Sequence, residues 1–242
     1  KKTILLAGCL FLYSGLGCAF STSFNLLIIS RVAGGIGVGM ASVVAPMYIA
    51  EFAPADKRGK MIAWYQLAIT IGILLAYFSN AMLLFFAQSN FENPAVQWFF
   101  KSETWRPMFL MMSVPALIFV LMLIPVPESP RWLVSVNKKE KARQILNTVR
   151  PQLLAIKELG DMENAAQKAA VRKRSVLDPS LRLPLIIGIV LAVLQQFSGI
   201  NAMISYGPGM FDSAAIHCSN ALVSQVIIGA VNLLFTLVAI RW

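Results

Sequence analysis

The chain has 242 residues, of which 57% are hydrophobic and only 13% charged, with a formal net charge of +10. A soluble domain carries about a quarter of its residues charged in order to solvate its surface, so this composition excludes an ordinary soluble fold. The basic excess does not indicate nucleic acid, because the Lys and Arg residues sit in a few polar segments between long apolar runs rather than across a folded surface.

A membrane-spanning helix needs about 20 mainly apolar residues, and six stretches qualify. The first, 3–20, follows Lys1 and Lys2 and contains Cys9 and Cys18, which read as small hydrophobes rather than parts of a disulfide framework. The chain opens without a methionine or a signal peptide, so a fragment of a longer protein is expected. The second stretch, 26–50, carries Arg31, followed by Ala33, Gly34, Gly35, Gly37, Gly39 and Ala41. Ala33, Gly37 and Ala41, and Gly35 with Gly39, recur at four-residue spacing and predict close approach of a neighbouring helix. Burying an arginine there costs at least about 2.5 kcal/mol, which calls for a partner. Snorkelling is the alternative, since Arg31 lies near the outer end of its span. No acid of this chain is an evident intramembrane partner, so a pairing residue would lie in other sequence.

The third stretch, 61–86, follows the basic loop Lys57–Arg58–Lys60 and carries Gln66 beside Trp64 and Tyr65. The fourth, 108–126, follows Lys101 and Arg106. A polar segment, 128–182, then separates four spans from two. Within it, 137–146 and 155–172 combine good helix formers with apolar residues three and four apart, which predicts short helices; a flexible charged linker is the alternative. The fifth stretch runs from 183 to about 211 and contains Gln195, Gln196 and Asn201. Gly199, Gly207, Pro208 and Gly209 predict a break near its outer end. The sixth, 221–240, contains Asn232. His217 is the lone histidine and stands beside Cys218 without metal-ligand spacing, so it reads as a solvated loop residue and supports neither a metal site nor an enzyme.

Six alternating spans place 18 of the 21 basic residues on one side and only Lys101 and Arg106 on the other, with Arg31 inside a span. The bias puts the basic side, including 128–182, in the cytoplasm. The expected organisation is an all-α membrane protein with four spans in 1–127, a cytoplasmic helical linker in 128–182 and two spans in 183–242. An inner linker between two groups of spans suits a transport protein built from paired halves.

Polar groups inside lipid need a partner, a cavity or a function. Gln66, Gln195, Gln196, Asn201 and Asn232 offer both donors and acceptors, which suits neutral polyhydroxy ligands. Interhelical hydrogen bonding accounts for any one of them. Five at intermediate depth point to a polar cavity, with Trp64, Tyr65, Phe197 and Tyr206 beside them as stacking surfaces.

Six motifs carry a resemblance. They are Arg31-x-x-Gly-Gly-x-Gly-x-Gly39, Pro46-Met-Tyr-Ile-Ala-Glu51, Arg58-Gly-Lys60, Trp105-Arg106, Pro127-Glu-Ser-Pro-Arg-Trp-Leu133 and Gln195-Gln-Phe-Ser-Gly-Ile-Asn201. In this order and spacing they resemble the sugar porters of the major facilitator superfamily, most of all the bacterial xylose–proton symporter branch. The resemblance implies helices 3 to 8 of a twelve-helix, monomeric carrier in the bacterial inner membrane, working by alternating access without a cofactor. It implies sugar contacts at Gln66, Gln195, Gln196, Asn201 and Asn232. Arg31 matches the arginine that pairs with a proton-carrying aspartate on helix 1. Glu51, Arg58, Glu128 and Arg131 match an inner-face charge network that locks the outward-facing state. Ser205 stands where the family often has a first tyrosine before Tyr206, and Ile73 where a close xylose carrier has a second glutamine. Both departures keep hexoses open beside pentoses such as xylose. The residue opposite Arg31 on helix 1 separates a symporter from a uniporter, and a long regulatory tail would mark a non-transporting sugar receptor.

Overall fold

The computed structural model describes residues 1–54, 56–87, 97–149, 151–171, 181–199, 206 and 221–241. Their regular structure is helical, with no strand among the described residues. In chain order the α-helices are α1 (Lys2–Ala19), α2 (Phe24–Phe52), α3 (Arg58–Ala87), α4 (Trp105–Leu123), α5 (Pro130–Ser135), α6 (Lys139–Val149), α7 (Gln152–Val171), α8 (Arg182–Phe197) and α9 (Ala221–Arg241). A π-helical turn, Trp98–Ser102, precedes α4. The first four helices are long and apolar enough to cross a membrane, and α8 and α9 are shorter apolar helices within the described residues. These six elements correspond to the six apolar stretches. The fifth ends as a helix at Phe197, and Gly199 follows at φ +74°, a left-handed conformation that glycine adopts without steric cost and that stops the helix there.

The chain divides into two compact units, residues 1–127 with 222–242, and residues 128–221. In the first unit α1 lies against both α2 and α4. Small residues set that packing. A Cβ on Gly8 would lie 2.8 Å from the Val120 side chain, and one on Gly15 would collide with the Ser113 hydroxyl of α4. A Cβ on Gly34 would lie 2.5 Å from the Ser14 hydroxyl, and one on Gly37 3.2 Å from the Ala7 carbonyl oxygen. The close contact of α2 thus runs over Gly34 and Gly37, whereas Gly35 and Gly39 have nothing within 4 Å among the described residues. Gly37, one of the small residues expected at a helix contact, is at this crossing, while Gly35 and Gly39 lie on a different face at about 100° per residue. Cys18 is buried in this packing, and Cys9 is exposed.

The second unit contains a small apolar core. Leu133 and Val134 of α5 meet Ala142 and Ile145 of α6 and Leu159, Met162 and Ala166 of α7. Lys139 and Glu163, 3.0 Å apart, tie α6 to α7. α5 goes beyond the two linker helices expected from periodicity, and its six residues are too few to show one. Local chemistry builds it. The Ser129 hydroxyl accepts from the Trp132 amide, and Pro130 takes the first turn, where its missing N–H costs nothing. At the other end Asn137 adopts φ +60°, while the Lys138 amide donates to the Leu133 carbonyl and the Asn137 amide to Val134. That pair of bonds is a Schellman stop, with asparagine supplying the left-handed residue.

Candidate functional site

Three of the five candidate amides lie at described positions on the spans with describable side chains. Gln66 is exposed on α3, Asn232 is half-buried on α9, and Gln195 is exposed near the end of α8. Gln196 is on α8 as well, and Asn201 lies outside the described residues, as do Ser205, His217 and Cys218. Gln66 and Asn232 belong to the first unit and the α8 amides to the second. Within the first unit α9 reaches α3 at Gly229, where a Cβ would stand 3.1 Å from the Tyr77 ring and 3.2 Å from Leu74. Asn232 is one turn along α9 from that crossing, and Gln66 about 12 Å along α3 from Leu74. The Asn232 carbonyl accepts from the Thr236 hydroxyl, and the Gln195 carbonyl from Ser198, so helix-internal bonds engage the backbone at both amides. α8 exposes Leu191, Leu194 and Phe197, the last at 84%, along one side of the helix, with Gln195 on another. Apolar surface of that kind is covered by lipid or other helices.

Arg31 projects from the exposed side of α2, on the face that includes Gly35 and Gly39. Its guanidinium lies 5.4 Å from the centroid of the Phe109 ring of α4. A ring face attracts a cation by its quadrupole without neutralising it. Phe109 is a partner that the sequence did not announce, because an aromatic in an apolar span carries no signal of its own.

The four charges expected at the inner face occupy helix ends and turns. Glu51 is in the last turn of α2, and Arg58 opens α3 after the short turn that follows. Glu128 precedes the Ser129 cap of α5, and Arg131 is in the first turn of that helix. Glu51 and Glu128 are half-buried, whereas Arg58 and Arg131 are exposed. Beyond the C-terminal end of α4 the first unit has two further links. Lys1 Nζ donates to the Ile124 carbonyl at 2.7 Å, and the Tyr48 hydroxyl donates to the Pro127 carbonyl at 2.6 Å.

At the opposite end of α4, Arg106 is enclosed. Its Nη1 donates to the carbonyls of Ala19 at 3.0 Å and Ser21 at 2.8 Å, which closes the C-terminal turn of α1. The guanidinium lies 4.5 Å from the Trp105 ring centroid and 5.4 Å from that of Trp98. Glu103 is 3.4 Å from Nε but makes no aligned hydrogen bond to it, so it balances charge rather than completing the donor set. The Trp105-Arg106 motif marked this position in the sequence; its partners in the α1–α2 turn could not be foreseen.

The arrangement contains amides, aromatics and helix-end charges. Among the described residues no group of histidine, cysteine and acid side chains could hold a metal ion.

A family model described as sugar (and other) transporter matches residues 1–242. The chain is 36% identical over 258 residues to the D-xylose-proton symporter of Escherichia coli (strain K12), covering 99% of this chain and 51% of that protein. To the arabinose-proton symporter of Bacillus subtilis (strain 168) it is 35% identical over 241 residues, covering 99% of this chain and 50% of that one. The chain thus spans about half the length of these relatives. Among solved structures, the proton:xylose symporter XylE bound to 6-bromo-6-deoxy-D-glucose superposes with a TM-score of 0.83 at 35% identity, over 99% of this chain and 52% of that one. These relatives are carriers, not enzymes. Matched by the family model along its whole length, and sharing the fold of a major facilitator symporter, the chain belongs to the sugar transporter family.

Proposed function

We propose that the whole protein carries a monosaccharide across the cell membrane by alternating access, as a sugar–proton symporter for a pentose such as xylose or for a hexose. The observation that carries this reading is the set of uncharged amides on α3, α8 and α9 in a chain about one-third identical to xylose and arabinose symporters. Gln66, Gln195, Gln196, Asn201 and Asn232 bind sugar hydroxyls, with aromatic residues stacking beside them. Arg31 serves the proton step, opposite an acid from outside these 242 residues. Glu51, Arg58, Glu128 and Arg131 form the inner gate, paired when the inner side is closed. Four spans belong to one half of the carrier, and residues 128–182 are a cytoplasmic linker to the other half. The carrier is a monomer in the bacterial inner membrane.

The test is sugar binding by calorimetry on the purified full-length carrier, wild type against Gln196→Ala, with melting temperature measured alongside. Losing one amide from a water-excluded site leaves sugar hydroxyls unpaired at a cost of about 1–3 kcal/mol, a fall in affinity of roughly five- to 150-fold. Unchanged affinity for every pentose and hexose tried, with a lowered melting temperature, would mean that the amide only staples helices.

A further inference from the structure

We infer that Tyr48 is a positioning residue of the inner gate, its hydroxyl holding the peptide that presents Glu128. The inference rests on the proposed gate role of Glu128 and adds a residue to it. α4 ends at Leu123, and the chain continues as Ile124-Pro-Val-Pro127-Glu-Ser-Pro130. Three prolines in seven residues fix their own φ angles, and Ile124 keeps helical φ and ψ before the first of them, so this stretch is a stiff strut rather than a slack connection. Prolines also lack an N–H, and carbonyls past the end of a helix have no ladder donor. Side chains supply the missing donors at two points of the strut. Lys1 Nζ reaches the Ile124 carbonyl at its start, and the Tyr48 hydroxyl reaches the Pro127 carbonyl at 2.6 Å, one residue before Glu128.

The Tyr48 ring is itself braced by Phe52, with centroids 4.7 Å apart. Tyr48 lies three residues before Glu51 on α2, so this hydrogen bond runs from the turn that carries one gate acid to the carbonyl of the residue that precedes another. A stiff strut held at both ends presents the next side chain in one place. Without the Tyr48 hydroxyl the strut loses the donor at the peptide bonded to Glu128. Tyr48 therefore acts through Glu128 and touches neither sugar nor proton.

The test is a double-substitution cycle on the full-length carrier in proteoliposomes, using radiolabelled xylose and glucose, with Tyr48→Phe, Glu128→Gln and the pair together. Tyr48→Phe keeps the ring and its contact with Phe52 and removes only the hydroxyl. The expected result is a maximal uptake rate lowered roughly two- to tenfold, the scale of one hydrogen bond, with sugar affinity and melting temperature unchanged. In the Glu128→Gln background the same substitution should have no further effect, which a general loosening of the fold would not reproduce. Normal uptake by Tyr48→Phe, with Glu128→Gln impaired, overturns the inference and leaves the gate reading standing. An undiminished Tyr48→Phe effect on top of Glu128→Gln overturns it too, because the hydroxyl then acts elsewhere. If Glu128→Gln itself transports normally, the gate reading falls and the inference falls with it.

Discussion

Two arginines of the first unit meet aromatic rings of the same stretch of chain and live in opposite circumstances. Arg106 has a side chain only 15% exposed and is surrounded by two carbonyls, two indoles and a carboxylate, all supplied within residues 19–106. Arg31 is exposed, lies over the Phe109 ring, and shares its face with Gly35 and Gly39, which meet nothing within 4 Å among the described residues. The difference separates a cation enclosed by its neighbours, although its Nε makes no aligned hydrogen bond, from one over a single ring on an exposed face. An enclosed charge has little room to take a new partner, whereas a charge that changes partners during a cycle needs an open side.

The comparison breaks most directly at Arg106. Arg106→Ala leaves the Ala19 and Ser21 carbonyls without their charged donor and removes two cation–ring contacts. The expected cost is about 2–4 kcal/mol, seen as a large drop in thermal unfolding midpoint in detergent. Arg106→Lys should recover only part of it, since a single ammonium lacks the planar fork that lies against the indoles. If Arg106→Ala melts like wild type, enclosure is not what makes this arginine structural.

Arg31→Leu sharpens the contrast from the other side. An exposed cation over one ring is worth about 0.5–1 kcal/mol, so its loss should barely move the melting temperature. The proposed proton role makes a separate demand: accumulation of sugar against its gradient should disappear in Arg31→Leu, while exchange of sugar across an equilibrated membrane persists. Retained accumulation would remove Arg31 from the coupling step.

How much of this could be seen in the sequence follows from the range of each signal. The spans were legible because a run of about 20 apolar residues is a local property, and the observed α1 to α4 bounds lie within three residues of the apolar stretches. The end of α8 before Gly199 was legible for the same reason, since glycine takes positive φ without steric cost, while Gly207, Pro208 and Gly209 lie outside the described residues. α5 was missed because caps at Ser129 and Asn137, not periodicity, define a helix of six residues. The candidate amides stood out by being polar in apolar surroundings. Partners were not legible. Phe109 for Arg31, the Ser21 carbonyl for Arg106 and the Pro127 carbonyl for Tyr48 are ordinary groups that matter only through tertiary placement. Motifs therefore indicated which residues to watch, and folding decided what each one holds.

The smallest expected effect lies on the glycines of α2 and asks whether its two faces differ as the two arginines do. A Cβ at Gly34 would stand 2.5 Å from the Ser14 hydroxyl, closer than packed atoms come, and one at Gly37 3.2 Å from a backbone oxygen of α1. Alanine at either position forces α1 to shift, against a helix-propensity gain of about 1 kcal/mol over glycine. The clash at Gly34 exceeds that gain, because the hydroxyl has to move into packed surroundings, and the 242-residue chain in detergent should melt lower with Gly34→Ala. Gly37→Ala should fall between that variant and wild type. At Gly39 a Cβ meets nothing among the described residues, so Gly39→Ala should keep the propensity gain and melt at or slightly above wild type. The same Gly39→Ala substitution in the full-length carrier should lower uptake, because a helix seated on the Arg31 face would meet the new methyl group. Normal uptake there, or a fall in melting temperature of the 242-residue chain as large as that of Gly34→Ala, would show that the two faces of α2 are equivalent and that the exposure of Arg31 says nothing about its role.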